Sequence, residues 1–285
     1  MDELLLPPID WNDPAVVDTY DELPLWSALF GALLLRHVPL RSVQVAVDIG
    51  CGTGFPLLEL AQRLGPSAQV YGIDPWAAAL TRAERKARAW GVRNVTLFEA
   101  DAASIPLPDA AVDLIVSNLG VNNVSDLAAV LRECRRVARP EARIALTTNL
   151  MGHMREFYAV LAGVLAAHGA AEALARLEAH IAHRATVAGL QAALRMAGFA
   201  VTHVFEDETQ LRFASGSALL AHSFIRLGFL PAWLDVIGPL PQRALLSELE
   251  AALNELATRE GELRLSVPMA YIEGRSSEPE GSARV

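Results

Sequence analysis

The hydrophobic pattern of the chain changes its period several times, and each change marks an element. Residues 12–38, "NDPAVVDTYDELPLWSALFGALLLRHV", read as helix broken near Pro24, with Asp13 as N-cap and Pro14 at the first helical position. Strand-length apolar runs then alternate with helical spacing. Val43 to Ile49 reads as a buried strand, and "FPLLELAQRL" as a helix ended by Gly65-Pro66. Gln69 to Asp74 is a second strand, and Pro75 to Trp90 a helix ended by Gly91. "NVTLFEA" is a third strand and Ala111 to Asn118 a fourth. Ser125 caps a helix running to about Ala138, and Ala142 to Asn149 is a fifth strand. Five strands joined by short helical crossovers predict a parallel, doubly wound sheet.

The pattern changes after the fifth strand. Residues 152–183 read as one or two helices rich in Ala and Leu. Thr186 caps "VAGLQAALRMAG", and Phe199 to Phe213 is a long strand. Residues 216–260 are helical, broken at Pro231 and Pro239, and Glu262 to Gly274 is a last strand. The polar end, "RSSEPEGSARV", is expected to be disordered. No repeat and no linker marks a second domain. The expectation is one domain over 1–285, with N-terminal helices in 1–40, a core in 41–150, helical lid insertions in 151–185 and 214–261, and a flexible tail in 275–285.

Composition narrows the partners. The net charge of −9 disfavours phosphate backbones and anionic lipid, so no nucleic acid is expected. The densest basic stretch, "RAERKARAW" from Arg82, reads as a solvated helix face. Two distant cysteines, Cys51 and Cys134, suit a reducing compartment and form neither a disulfide framework nor a zinc motif. "MDELLLPPID" lacks the basic region and apolar run of a secretory signal, and the apolar stretch Leu23 to Leu35 contains Pro24 and is too short to span a bilayer. A cytoplasmic protein without a membrane segment is expected. His168, His180, His183 and His203 show no metal-like spacing, and His180 with His183 reads as a solvated helix face.

The candidate chemistry starts at "VAVDIGCGTGF". Gly50, Gly52 and Gly54 follow a strand end, where open parallel sheets bind ligands. The dinucleotide fingerprint needs its third glycine one residue later, where Phe55 stands, and no Gly-Lys-Ser/Thr of a P-loop follows. Asp74, ending the second strand, is placed to accept from both hydroxyls of a ribose, or to cap the helix that Pro75 would start. Asp101 follows the third strand, where a carboxylate accepts from an exocyclic amine or caps its own loop.

Together these residues resemble the class I S-adenosylmethionine-dependent methyltransferases, over about Val43 to Asn149. The resemblance implies a Rossmann-like, doubly wound α/β sheet of seven strands, mostly parallel with an antiparallel last strand, plus a helical cap. It implies that the turn of Asp48, Gly50, Cys51, Gly52 and Gly54 lies under the methionine part of the cofactor. It gives Asp74 the ribose, puts Pro75 and Trp76 near the adenine, and has Asp101, with Ala102, read the adenine amine. Asn118 and Leu119, at the end of the fourth strand, and Tyr20, in the first helix, complete the expected cofactor set. Pro140-Glu141-Ala142 departs from the family's usual Pro-Gly-Gly turn, which is remote from the cofactor.

On the acceptor side, "SNLGVNN" lacks the motif of adenine N6 and glutamine methylating members, and spare cysteines for arsenite chemistry are missing. His153 and Glu156, three residues apart after the fifth strand, are expected to share a helix face, His153 as general base and Glu156 as its orienting partner. The function expected is methyl transfer to a small, largely apolar molecule, with no metal. An NAD(P)-dependent oxidoreductase and a non-catalytic cofactor-binding module are the alternatives. The sequence leaves the oligomeric state open.

Overall fold

Strands that read as unbroken apolar runs must be covered on both faces, and the computed structural model shows them so. It describes residues 9–22 and 25–277; the expected break at Pro24, the first eight residues and the tail from 278 lie outside the described residues. Helices α1 (Pro14–Glu22) and α2 (Leu25–His37) precede β1 (Val45–Ile49), α3 (Leu57–Leu64), β2 (Gln69–Asp74), α4 (Ala77–Trp90), β3 (Val95–Glu99) and β4 (Val112–Asn118). A 3₁₀ turn (Gly120–Asn123), α5 (Leu127–Val137) and β5 (Ala138–Asn149) follow. Then come α6 (Arg155–Ala167), α7 (Ala171–Ala182), α8 (Val187–Met196), β6 (Phe199–Phe213), α9 (Gly216–Ala221), α10 (Ser223–Gly228), α11 (Leu230–Ile237), α12 (Gln242–Glu260) and β7 (Leu263–Ser276). The seven strands form one sheet in the order β3-β2-β1-β4-β5-β7-β6, parallel except at the β5-β7-β6 end. The chain order reverses between β1 and β4, where Asp48 pairs with Val116 on one side and Gly72 on the other. That reversal is the switch point at which such sheets bind ligands.

Local signals were mostly legible, and the exceptions have causes. Thr186 caps α8 as expected, accepting from Gly189 N–H at 3.1 Å. The α5 cap is Asp126, which accepts from Ala129 N–H at 2.9 Å, and not Ser125. A carboxylate one residue later takes the same role with a charge added. β5 starts at Ala138, four residues early, because a bulge opposite Val112 and Leu114 absorbs Pro140-Glu141. Glu141 there has φ 68°, the left-handed backbone that glycine usually supplies. β7 runs past Gly274 to Ser276, whose buried hydroxyl donates to Arg139 O at 2.5 Å, so the start of the expected flexible tail is strand. The basic stretch on α4 is not simply solvated. Arg82 donates to Asp21 at 2.7 Å, Arg85 to Asp18 at 3.2 Å, and Lys86 also pairs with Asp21, so α4 holds α1 by its acids.

The chain forms two compact units. One comprises Asn12–Thr148, Ala185–Glu206 and the residues from Met269, and contains most of the sheet. The other comprises Asn149–Arg184 and Asp207–Pro268, and is chiefly helical. Its core centres on the stacked rings of Phe157 and Trp233, 3.9 Å apart, with Leu161, Leu177, Leu249 and Leu253 buried around them. Among the described residues no helix is long and apolar enough to cross a membrane.

Candidate functional site

Each of the three glycines after β1 has its own reason. Gly50 has φ 73°, and a Cβ there would stand 2.6 Å from the Cα of Gly120. The turns after β1 and β4 therefore touch backbone to backbone, and the contact needs glycine on both sides. Gly52 has φ 50°, and a Cβ there would meet no protein atom within 4 Å. Its backbone is the part of the turn open to a ligand. Gly54, at φ 98°, packs on α4 and α3: a Cβ there would stand 3.1 Å from Ala83 and 3.2 Å from Leu58. Cys51 turns its buried thiol toward Gly72 of β2, so only its backbone faces the turn. Phe55 runs its ring against Gly31 of α2, where a Cβ would stand 2.2 Å from it. Gly120, Gly31 and Ser117, whose hydroxyl donates to Ile49 O at 2.7 Å, were not singled out in the sequence.

The charges around this turn are negative. Asp74 accepts from Gly52 N–H and from Trp76 N–H, each at 2.8 Å, one per carboxylate oxygen. It thus ties the glycine turn to the start of α4, whose N-cap residue is Trp76 and not Asp74. Each oxygen keeps a second lone-pair direction for a further donor. Asp48 is fully buried, and neither of its oxygens has a hydrogen-bond partner among the described residues. Burial pushes its carboxyl well above the ordinary range and the charge of Asp74 adds to this; the Leu57 N–H, outside hydrogen-bond geometry, opposes both weakly. Burial also raises Asp74, against the pull of its two N–H donors.

The other expected cofactor residues fall around the same strand ends. The Tyr20 ring meets Trp76 edge-on at 5.3 Å, and burial together with Asp74 raises its hydroxyl pKa. Pro75 is exposed between Asp74 and Trp76. Asp101 accepts from Ala103 N–H at 2.8 Å through one oxygen, so it caps its loop, with the buried Ala102 beside it. Asn118 donates to Ser27 O at 3.1 Å and accepts from Thr147 at 2.8 Å, which fixes the end of β4. Leu119 follows in the left-handed region, φ 66°, and starts the 3₁₀ turn.

The expected pair of His153 and Glu156 is not formed. His153 precedes α6 in a turn, and Met154 at φ 50° separates it from the helix. The i, i+3 rule applies only inside a helix, so the two side chains diverge. Glu156 accepts from the Ser266 N–H at 2.8 Å and its hydroxyl at 2.5 Å, and is 3.3 Å from Arg155. His153 is buried, with its ring 5.6 Å from Phe229 and 6.3 Å from Tyr158. Burial first, then Arg184 and His180, pull its pKa down to about 3. Of the expected solvated pair, His183 is exposed and His180 is half-buried. The Nε2 of His180 lies 3.1 Å from the Tyr158 hydroxyl and 3.3 Å from Arg184.

Residues 47–146 match the family model described as a methyltransferase domain. The chain is 35% identical over 129 residues to a demethylmenaquinone methyltransferase of Anoxybacillus flavithermus, an alignment covering 44% of this chain and 54% of that protein. It spans only about half the length of the first curated relatives that it matches. A longer match is to the nocamycin O-methyltransferase of Saccharothrix syringae, 31% identical over 241 residues, covering 80% of this chain and 84% of that protein. Among solved structures, a SAM dependent methyltransferase from Aquifex aeolicus shares the fold with a TM-score of 0.52 at 23% identity, over 67% of this chain and 91% of that one. With the glycine turn, its two acids and the strand order that the motif requires, the chain belongs to the class I S-adenosylmethionine-dependent methyltransferases.

Proposed function

We propose that this chain transfers a methyl group from S-adenosylmethionine to a small, largely apolar molecule. The observation that carries the reading is the pair of carboxylates, Asp48 and Asp74, at a glycine turn with one glycine open to a ligand. A turn framed by two buried acids suits a cationic ligand and repels a pyrophosphate. S-adenosylmethionine is such a cation, and when bound it supplies an electrophilic methyl group on its sulfonium. Asp48 and the backbone of Gly50, Cys51 and Gly52 would hold its amino-acid part. Asp74 would accept from the ribose hydroxyls through its two remaining lone pairs, and Tyr20, Trp76, Asp101 and Leu119 would enclose the nucleoside. The relatives' names, demethylmenaquinone and nocamycin, support a small-molecule acceptor. His153 is too weak a base to deprotonate an ordinary hydroxyl near neutral pH. The chain therefore acts by holding and aligning its two substrates and keeping water out.

Ligand-dependent melting tests this. At a hundred times its dissociation constant, S-adenosylhomocysteine should add about 2.7 kcal/mol, or roughly 5–10 °C in melting temperature. NAD should add nothing. A protein that NAD raises and the sulfur ligand leaves alone is not a methyltransferase.

Asp74→Asn gives a sharper check on the turn. Asparagine has one acceptor oxygen where aspartate has two, so either Gly52 N–H or Trp76 N–H loses its partner. Ligand-free stability should fall by about 1 kcal/mol, and cofactor binding should weaken by roughly 1.5–3 kcal/mol. Calorimetric titration with S-adenosylhomocysteine reads the second value. Unchanged affinity would remove Asp74 from the cofactor site.

A further inference from the structure

Arg184, just after α7, lies among bases and away from acids. Its guanidinium donates to His183 Nε2 at 3.2 Å and to His180 Nε2 at 3.3 Å. No carboxylate pairs with it among the described residues, and its Nε is buried without a hydrogen-bond partner. The tautomers follow from the network. A guanidinium only donates, so both Nε2 atoms carry lone pairs. The 2.7 Å contact of His183 Nδ1 with His180 O is then an N–H donation. Tyr158, whose hydroxyl lies 3.1 Å from the same His180 Nε2, must donate to it as well. Its oxygen keeps both lone pairs, and its proton is shared with a nitrogen already taken by Arg184.

The cluster therefore holds a permanent cation and a tyrosine hydroxyl, with no carboxylate paired to either among the described residues. After burial, Arg184 and a neighbouring histidine lower the pKa of both His153 and His180. His180 is held neutral, with a pKa near 4. A half-buried cation that faces histidine nitrogens and no paired carboxylate gains much more from an anion than from a neutral partner. His153, which feels the Arg184 charge, has the Phe229 ring 5.6 Å from its own.

The geometry points to Arg184, with Tyr158 and His180, as the site for an ionised oxygen on a planar acceptor, such as an enolate, a phenolate or a carboxylate conjugated to a ring. This rests on the methyltransferase reading and adds the acceptor's chemical class to it. An acceptor that enters as an anion has no proton left to lose, which agrees with a site lacking a competent base. The sequence carries no such signal: Tyr158 sits in an apolar helix, and Arg184 follows a histidine pair with no motif around it.

The test is a binding comparison without cofactor. Lawsone, a planar hydroxynaphthoquinone that is ionised near neutral pH, and its neutral methyl ether are each titrated into the full chain, with tryptophan fluorescence as readout. The acid should bind about tenfold tighter or better. Arg184→Gln should abolish the preference, and Arg184→Lys should retain part of it as a point charge. Absence of lawsone binding, equal affinity for acid and ether, or a preference that survives Arg184→Gln would each overturn the assignment. The wild-type ratio needs no variant, so a poorly folding Arg184→Gln leaves the test decisive. S-adenosylhomocysteine titrated into the same preparation separates the two levels. If it binds while lawsone is not preferred, only this inference fails; if it does not bind, the methyltransferase reading has failed.

Discussion

Replacing Gly50 by alanine should lower the ligand-free melting temperature by roughly 10 °C, and replacing Gly52 should lower it by only a few degrees. Both residues have positive φ, at 73° and 50°, so each alanine incurs about 1–2 kcal/mol of backbone strain. Only Gly50 adds a collision. Its new methyl would lie 2.6 Å from Gly120 Cα, a backbone atom that cannot rotate away. Overpacking of that kind costs a further 1–3 kcal/mol or so, giving roughly 2–5 kcal/mol in all. Gly120→Ala should behave like Gly50→Ala, since its methyl would enter Ile49 O and Gly50 Cα. Binding of S-adenosylhomocysteine should divide the variants differently. Gly52→Ala puts a methyl group into the space the ligand uses, so it should bind poorly while melting almost normally. Thermal melts of the three variants, with and without ligand, decide. If Gly50→Ala melts with Gly52→Ala, the backbone contact between the two turns does not matter to stability.

That contact also shows what the sequence can carry. β6 was legible to the residue, Phe199 to Phe213, because Gly198 and the bend at Ala214 and Ser215 bound a segment whose two ends are rich in β-branched and aromatic residues. The glycine turn was legible because its spacing is local. Gly120 was not, because its meaning lies in a partner far away along the chain, and "LGVN" looks like any loop. The same limit explains the basic stretch of α4, which reads as a solvated face until α1 brings Asp18 and Asp21 to Arg82, Arg85 and Lys86. The pairing of His153 with Glu156 failed for a different reason. It assumed that α6 begins before His153, and the helix begins two residues later, after a left-handed Met154. One boundary error turned a shared face into two unrelated contacts. Asp74 was right in kind and incomplete in detail: a carboxylate at that strand end was expected, but its bond to Gly52 N–H, which joins two motifs, was not.

Asp48→Asn should make the ligand-free protein more stable above the acid range and should cost most of its affinity for S-adenosylmethionine. The folded-state pKa of Asp48 is raised, by burial first and by Asp74 second, above the value near 3.9 of an unfolded aspartate. A raised carboxyl leaves stability intact below the unfolded pKa and removes it as pH rises toward the folded pKa. The wild type should therefore lose stability on going from about pH 4 toward neutrality, and Asp48→Asn should lack that part of the slope. A neutral amide keeps the shape and ends the repulsion with Asp74. The same change removes a buried charge from the side of a cationic ligand. Loss of one partner from a buried ion pair costs roughly 3–5 kcal/mol, which is more than a hundredfold in dissociation constant. S-adenosylhomocysteine, which keeps the same amino-acid ammonium, should lose about as much as S-adenosylmethionine from the same substitution. Chemical unfolding across the acid to neutral range and calorimetric titration of both ligands measure these effects. A variant with the wild-type pH slope, or with unchanged affinity for both ligands, would show that the Asp48 carboxyl stays neutral and serves only the packing of the turn.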